Sequence, residues 1–206
     1  MTITAKMWYR QPAAGDMTNS GFSKGFLAVL FCVALAIDVQ AKEIEGVRFA
    51  DEIRAGAATL RLNEVGLLRY RYVIKAYVAA LYLGEGARLN DVLADEAKRL
   101  EIEYFYAIEA PGFVNATIAG IAANVSPEML AKLRPRIDRL NTFYRNVKPG
   151  DRYALTYLPG VGTELALNGT TLGTVEGADF AAAVFAIWLG PQAIDESLKT
   201  QLLGRS

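Results

Sequence analysis

From Gly66 to Leu83 the chain runs Gly-Leu-Leu-Arg-Tyr-Arg-Tyr-Val-Ile-Lys-Ala-Tyr-Val-Ala-Ala-Leu-Tyr-Leu, mostly apolar but broken by Arg69, Arg71 and Lys75. Successive side chains of a strand point to opposite faces. One long strand over about 67–83 puts Arg69, Arg71, Lys75 and Tyr77 on one face, and Leu68, Tyr70, Tyr72, Ile74, Val78 and Tyr82 on the other. So many cations on one face of an inner strand require water or an anion beside them. Short strands over 47–50 and 57–62 precede it, with a turn at Leu62-Asn-Glu-Val-Gly66, and Gly84-Glu-Gly86 ends it. A short helix follows from Leu89 to about Asp95. The run from Lys98 to Ile108 alternates, with Leu100, Ile102, Tyr104 and Tyr106 on its buried face and Glu101 and Glu103 on a solvated one.

Beyond Pro111-Gly112 the period changes. Val114, Ile118, Ile121 and Val125 recur at helical spacing. Ser126-Pro127-Glu128 then reads as a helix start: a capping hydroxyl, a proline at the first position and an acid on the dipole. Leu130, Leu133, Ile137, Leu140 and Tyr144 carry that second helix, which Pro135 is expected to kink or split. Three short strands follow, Tyr153–Leu158, Glu164–Leu167 and Thr171–Val175, the last two joined by Asn168-Gly169, a type I′ hairpin signal. Phe180, Val184, Ile187 and Trp188 mark another helix, closed by Gly190-Pro191, and a last helix covers about 194–203. Strands, helices, meander strands and helices in that order, without βαβ alternation, predict an α+β fold: an antiparallel sheet with helices on one face.

The first 41 residues follow a different pattern. Lys24 precedes the apolar run Phe26–Ile37, and Val39-Gln40-Ala41 places small residues at −3 and −1 of a cleavage point. This is the layout of a secretory signal. The run of 12 residues is short for a membrane-spanning helix of roughly 20. Residues 1–41 are therefore expected to be a signal peptide, with Met17 as an alternative start, cleaved after Ala41 and leaving no stable membrane anchor. One domain is expected over 42–206.

Residues 1–41 hold three of the 22 cations and two of the 22 anions, which leaves the domain a net charge of −1. That gives no electrostatic case for nucleic acid. Histidine is absent and Cys32 lies in the leader, so the domain lacks the commonest ligands of zinc and copper. The domain's serines are Ser126, Ser197 and Ser206, none in a G-x-S-x-G motif. No phosphate-cradling glycine motif occurs. No metal or cofactor is expected, and any chemistry would fall to carboxylates, Lys, Arg, Tyr or water.

Several segments together resemble the chalcone isomerase-like superfamily, in its bacterial exported branch: Gly66–Leu83 with its Lys75-x-Tyr77-x-Ala79-x-Leu81-Tyr82-Leu83 ending, Pro159-Gly-Val-Gly-Thr-Glu-Leu-Ala-Leu-Asn-Gly169, Leu172-Gly173 and Ile187-Trp188-Leu189-Gly190. The resemblance spans nearly all of 43–206. It implies an open-faced β-sandwich, a large antiparallel sheet covered by helices on one face, with a ligand cleft between them. It also implies a periplasmic location. Plant members close a chalcone into a flavanone, plastid relatives bind fatty acids, and others have no known activity. Aligning Gly66 and Leu81-Tyr82-Leu83 puts the enzymes' catalytic arginine at Val65 and their cleft threonine at Tyr77. Their Tyr-x-x-Lys-x-x-x-Asn helix has no counterpart, because no lysine occurs between Lys98 and Lys132. Valine cannot orient an anionic substrate as arginine does. Chalcone closure is therefore not expected.

Tyr77 matches a tyrosine that the fatty-acid-binding branch uses for the carboxylate, and Arg69, Arg71 or Lys75 are candidates for the accompanying cation. The expected function is non-catalytic binding of a small amphipathic anion such as a fatty acid. Two other readings stay open: an intramolecular lyase or isomerase acting on another substrate, and an envelope protein-interaction module with a filled cleft. Cleft volume and a strongly perturbed titratable group facing it separate the three. No particular protein partner is indicated.

Overall fold

The computed structural model describes residues 41–70 and 74–205. Nine strands and four helices follow one another: β1 Ala41–Ile44, β2 Val47–Ala50, β3 Glu52–Ala55, β4 Ala58–Tyr70, β5 Ile74–Gly84, β6 Lys98–Tyr104, α1 Ala110–Ala122, α2 Pro127–Asn141, β7 Arg152–Leu158, β8 Gly162–Leu167, β9 Thr170–Val175, α3 Ala178–Leu189 and α4 Glu196–Leu202. Strands β3 to β9 form one seven-stranded sheet in sequence order, every neighbour antiparallel. The hairpin β1–β2 is a separate two-stranded sheet.

Alternation along β5 sorts the two faces. Tyr77, Ala79 and Leu81 join the core under the helices, together with Leu100, Ile102 and Tyr104 of β6. Val78, Ala80 and Tyr82 face the other way, against Val47 and Phe49 of the β1–β2 hairpin. The helices thus cover one face as expected, and part of the opposite face is covered as well. Glu101 is not solvated: it lies 6 % exposed under the hairpin. Its oxygens accept from Arg99 Nε at 2.9 Å and Arg152 Nη1 at 3.0 Å, and Glu103 accepts from Arg152 Nη2 at 2.8 Å. Phe49 stacks over the Arg152 guanidinium at 4.5 Å.

The long strand expected over 67–83 is two strands. β4 and β5 pair antiparallel, and Arg69 faces Lys75 across the ladder. The turn expected at 62–66 is absent, and β4 runs through it with a register shift between Leu62 and Glu64. The extra residue moves the hairpin-facing side chains from Leu60 and Leu62 to Val65 and Leu67. Asn63 at the bulge donates to the Leu202 carbonyl at 2.7 Å. The rim of β4 beyond β3 is covered by α4, whose Gln201 accepts from Leu67 N at 3.0 Å. Gly66 permits that approach, since a Cβ there would lie 2.7 Å from Leu198 Cδ1.

α2 begins as its sequence indicates, with Ser126 Oγ accepting from Met129 N at 3.3 Å. It continues unbroken through Pro135, which lies with Ala131 on the exposed side, where the unpaired carbonyl can reach water. α3 is apolar nearly all round and is sandwiched between the sheet and α1. Gly120 sets the α1–α3 distance, because a Cβ there would meet Ile187 at 2.9 Å. The helix expected near 89–95 is a single 3-10 turn, Leu89–Asp91, and Tyr106 lies beyond the end of β6, 54 % exposed. Asn168 and Gly169 both adopt positive φ, 50° and 80°, as a type I′ turn requires.

Candidate functional site

Between the helix-facing side of the sheet and the helices lies a cavity of about 250 Å³. Its floor is Tyr77 of β5, Leu100, Ile102 and Tyr104 of β6, Tyr153 and Leu155 of β7 and Leu165 of β8. Phe113, Ala116 and Thr117 of α1 and Ile187 and Trp188 of α3 form its roof, with Ile108, Tyr144 and Ile194 from the connections. Exposed Gly112, Ala116 and Ile194 mark its mouth. The volume falls short of the roughly 300 Å³ at which drug-sized pockets begin. It exceeds the ~150 Å³ apolar cavity known to admit benzene.

The walls are aromatic. Tyr104 meets Tyr77, Phe113 and Tyr153 edge-on, with centroids 5.7, 5.3 and 6.1 Å apart, and Phe113 stacks on Tyr144 at 5.4 Å. Strand alternation delivers Tyr77, Tyr104 and Tyr153, one from each of three neighbouring strands. Tyr144 follows the end of α2 on the face that Leu133, Ile137 and Leu140 bury.

Polar capacity in the cavity is small and specific. Trp188 Nε1 donates to the Tyr77 hydroxyl at 3.1 Å. Thr117 and Tyr144 share one hydroxyl–hydroxyl bond of 2.7 Å. Tyr153 is closed on the backbone of Arg145, accepting from its N–H at 2.7 Å and donating to its carbonyl at 2.9 Å. Burial pushes the Tyr77 phenol well up, with a smaller contribution from Asp195, against the hydrogen bond from Trp188. The Tyr104 phenol is raised by burial and then by the phenols of Tyr77, Tyr144 and Tyr153. Tyr144 is pushed up to about 12, mainly by burial. No lining residue among those described is Lys, Arg, Asp, Glu or Cys. Nor do the described residues contain a cluster of three or more acidic or cysteine side chains able to hold a metal.

Of the residues singled out in the sequence, Tyr77 lines this cavity. Arg69 and Lys75 do not. They stand at the far end of the β4–β5 ladder, 45 % and 47 % exposed, and both engage Glu45, Arg69 at 3.6 Å. Arg69 and Lys75 are direct partners across the ladder and share a face, but Ala76 is an extra residue of β5 between Lys75 and Tyr77, so their face is not the one that Tyr77 presents to the cavity. Arg71 lies outside the described residues. Sequence reasoning placed Tyr104 on the correct buried face and Tyr144 on the correct helical face but gave neither a role, and it assigned Trp188 to the core. Nothing in the sequence joins the tyrosines at 77, 104 and 153, which come from three strands and meet only in the sheet.

Lys98 is perturbed away from the cavity, 2 % exposed and lowered to about 8 by burial, against the nearby acids Asp95, Glu96 and Asp91. Its ammonium donates to the carbonyls of Ala94 and Glu96 at 2.6 and 2.7 Å, and Tyr157 lies beneath it at 5.0 Å. It is outside the cavity and ties the 94–96 loop to the sheet.

The chain belongs to the chalcone isomerase-like family, whose model matches residues 41–204. Among solved structures it is similar to the crystal structure of a fatty-acid binding protein of Arabidopsis thaliana, with a TM-score of 0.65 and 15 % sequence identity over 80 % of this chain and 96 % of that one. At that identity the likeness is one of fold. A search of curated protein sequences finds no match.

Proposed function

We propose that this protein is a non-catalytic binding protein that holds a small amphipathic, fatty-acid-like molecule in the cavity beside Tyr77. The observation that carries the reading is the open cavity itself, about 250 Å³, apolar and edged by a few hydroxyls. Apolar walls with few convergent polar groups are the usual make-up of a small-molecule site. The likeness in fold to a fatty-acid binding protein of Arabidopsis thaliana supports the same class. The volume suits a short or medium acyl chain better than a long one. A lyase or isomerase would need a group that exchanges a proton near the working pH. The cavity's phenols are all raised, so they favour binding over proton transfer. An unfilled cavity likewise weighs against the interaction module.

The test is calorimetric titration of the exported chain with medium-chain fatty acids at pH 5. Wild type should saturate with one site. Ala116→Trp, a change on an exposed helix position at the mouth, should weaken binding at least tenfold and leave the melting temperature within a few degrees. Absence of binding by wild type would overturn the reading.

Export through the leader, with cleavage after Ala41 and a periplasmic location, is part of the same proposal. It is supported by the charged, apolar and small-residue order of residues 24–41. N-terminal sequencing of the mature protein should begin at Lys42. An intact leader on the functional product would refute this part.

A further inference from the structure

Hydroxyl protons in the cavity outnumber the acceptors that the protein offers them. Tyr77 oxygen accepts from Trp188 Nε1, and its own proton has no acceptor among the described residues. Tyr104 is governed by burial and by the neighbouring phenols, with no hydrogen bond contributing. Thr117 and Tyr144 share a single bond, so one of their two protons is unspent. Only Tyr153 is closed. A hydroxyl brings one donor and two acceptor lone pairs. The site therefore presents up to three O–H donors to whatever enters. A ligand that fits must bring oxygen acceptors.

The charge environment narrows the ligand further. Tyr77 from β5, Tyr104 from β6, Tyr153 from β7, Tyr144 after α2, Thr117 from α1 and Trp188 from α3 are all neutral at physiological pH. The ionised group whose field reaches Tyr77 is an anion, Asp195. Arg145 and Asp151 act on Tyr153, whose hydroxyl is turned onto the Arg145 backbone. Arg69 and Lys75 are held by Glu45, off the lining. A carboxylate in the cavity would lose its water, feel the negative charge of nearby Asp195 and meet no cation among the described lining residues. Burial and a like charge both favour the protonated acid. Neutral hydroxyls give an anion weaker hydrogen bonds than a guanidinium does.

We propose, on the basis of the binding reading above, that the cavity takes its ligand uncharged, with a carbonyl oxygen accepting from Tyr77 and Tyr104. A carboxylic acid then binds in its protonated form, and esters, ketones or alcohols of similar shape bind as well or better. This differs from the anion expected from the sequence.

The experiment is titration of the intact chain with octanoic acid and with methyl octanoate at pH 5, 6, 7 and 8. If only the protonated acid binds, its apparent affinity scales with the protonated fraction and falls about tenfold per pH unit above its aqueous pKa. From pH 5 to 8 the acid should weaken by roughly a thousandfold, and the ester should not change. Tyr104→Phe should weaken the ester about three- to tenfold, and Arg71→Gln should leave both probes unchanged. Octanoate bound equally at pH 5 and 8 and tighter than the ester, or weakened selectively by Arg71→Gln, overturns the proposal and leaves the binding reading intact. Binding of neither probe overturns both.

Discussion

Tyr77 and Tyr82 stand five residues apart on β5, and their phenols meet opposite surroundings. Tyr77 is on the helix side, where the sheet and helices leave a space and the polar groups that line it are neutral. Tyr82 is on the hairpin side, packed against Phe49 and close to the Arg99–Glu101–Arg152–Glu103 network. On the hairpin side the charges satisfy one another. Arg99 also donates to Thr156 at 3.0 Å, and Arg152 reaches the Arg48 carbonyl at 3.1 Å. Polar groups that are paired inside the protein hold a structure together, and donors left unspent beside a cavity are available to a ligand. The contrast separates the two roles within one sheet: the charged cluster, with its buried Glu101 and partly buried Glu103, Arg99 and Arg152, is structural.

Breaking the charged face should give the largest effect on stability and none on binding. Glu101→Gln removes the countercharge shared by Arg99 and Arg152. Loss of one partner from a buried ion pair costs about 3–5 kcal/mol, and less where the stranded charges keep some water. The two arginines retain 20 % and 27 % exposure, so roughly 2–3 kcal/mol is expected. For a domain of this size that lowers Tm by about 5–10 °C. Octanoate titration at pH 5 should be unaltered at temperatures where the variant is folded. A folded variant with weakened binding would show that the two faces are coupled and that the division of roles is wrong.

The sequence exposed much of this division, and its failures have physical causes. Alternation in β6 correctly sent Leu100, Ile102 and Tyr104 towards the core, whereas in the long strand it grouped Tyr77 with the cations. The meander β7–β9, the Asn168-Gly169 turn and the Ser126 cap were all legible, because each depends on local chemistry. The β4–β5 reversal was not. Between Leu67 and Leu83 there is no Gly, Pro, Asn or Asp to mark it, and the apolar run continues on both sides. One extra residue in β4, Asn63, and one in β5, Ala76, then change parity, so a face read from even or odd numbers fails there. Glu101 and Glu103 looked solvated because a period-2 pattern shows that two faces differ and says nothing of what covers the polar one. What covers it is β1–β2, and β1 was not recognised as a strand. The phenol set was hidden for a related reason: its members come from β5, β6, β7 and the segment after α2, and tertiary packing alone brings them together.

The finest test of the comparison replaces each phenol by phenylalanine. The Tyr82 hydroxyl is buried and has no hydrogen-bond partner. Burial, and then the nearby Glu101 charge, hold its phenol protonated far above the ordinary range. A buried polar group without a partner costs about 1–3 kcal/mol, and much of that returns when the group is removed without a change of shape. Tyr82→Phe should therefore leave the melting temperature unchanged or raise it by about 2–4 °C, a gain of up to ~1 kcal/mol, with ligand affinity unaltered. Tyr77→Phe has the opposite profile. It strands the Trp188 N–H and removes one of the donors that the ligand oxygen uses. A neutral hydrogen bond contributes about 0.5–1.5 kcal/mol, so affinity for methyl octanoate should fall roughly three- to tenfold, and the melting temperature should drop slightly. The two measurements together form the test, because the same deletion on the same strand should stabilise on one side and disarm on the other. Equal loss of affinity in both variants would mean that the ligand reaches the hairpin face. Unchanged affinity in Tyr77→Phe would remove that hydroxyl from the binding site and leave Tyr104 and the Thr117–Tyr144 pair as its only donors.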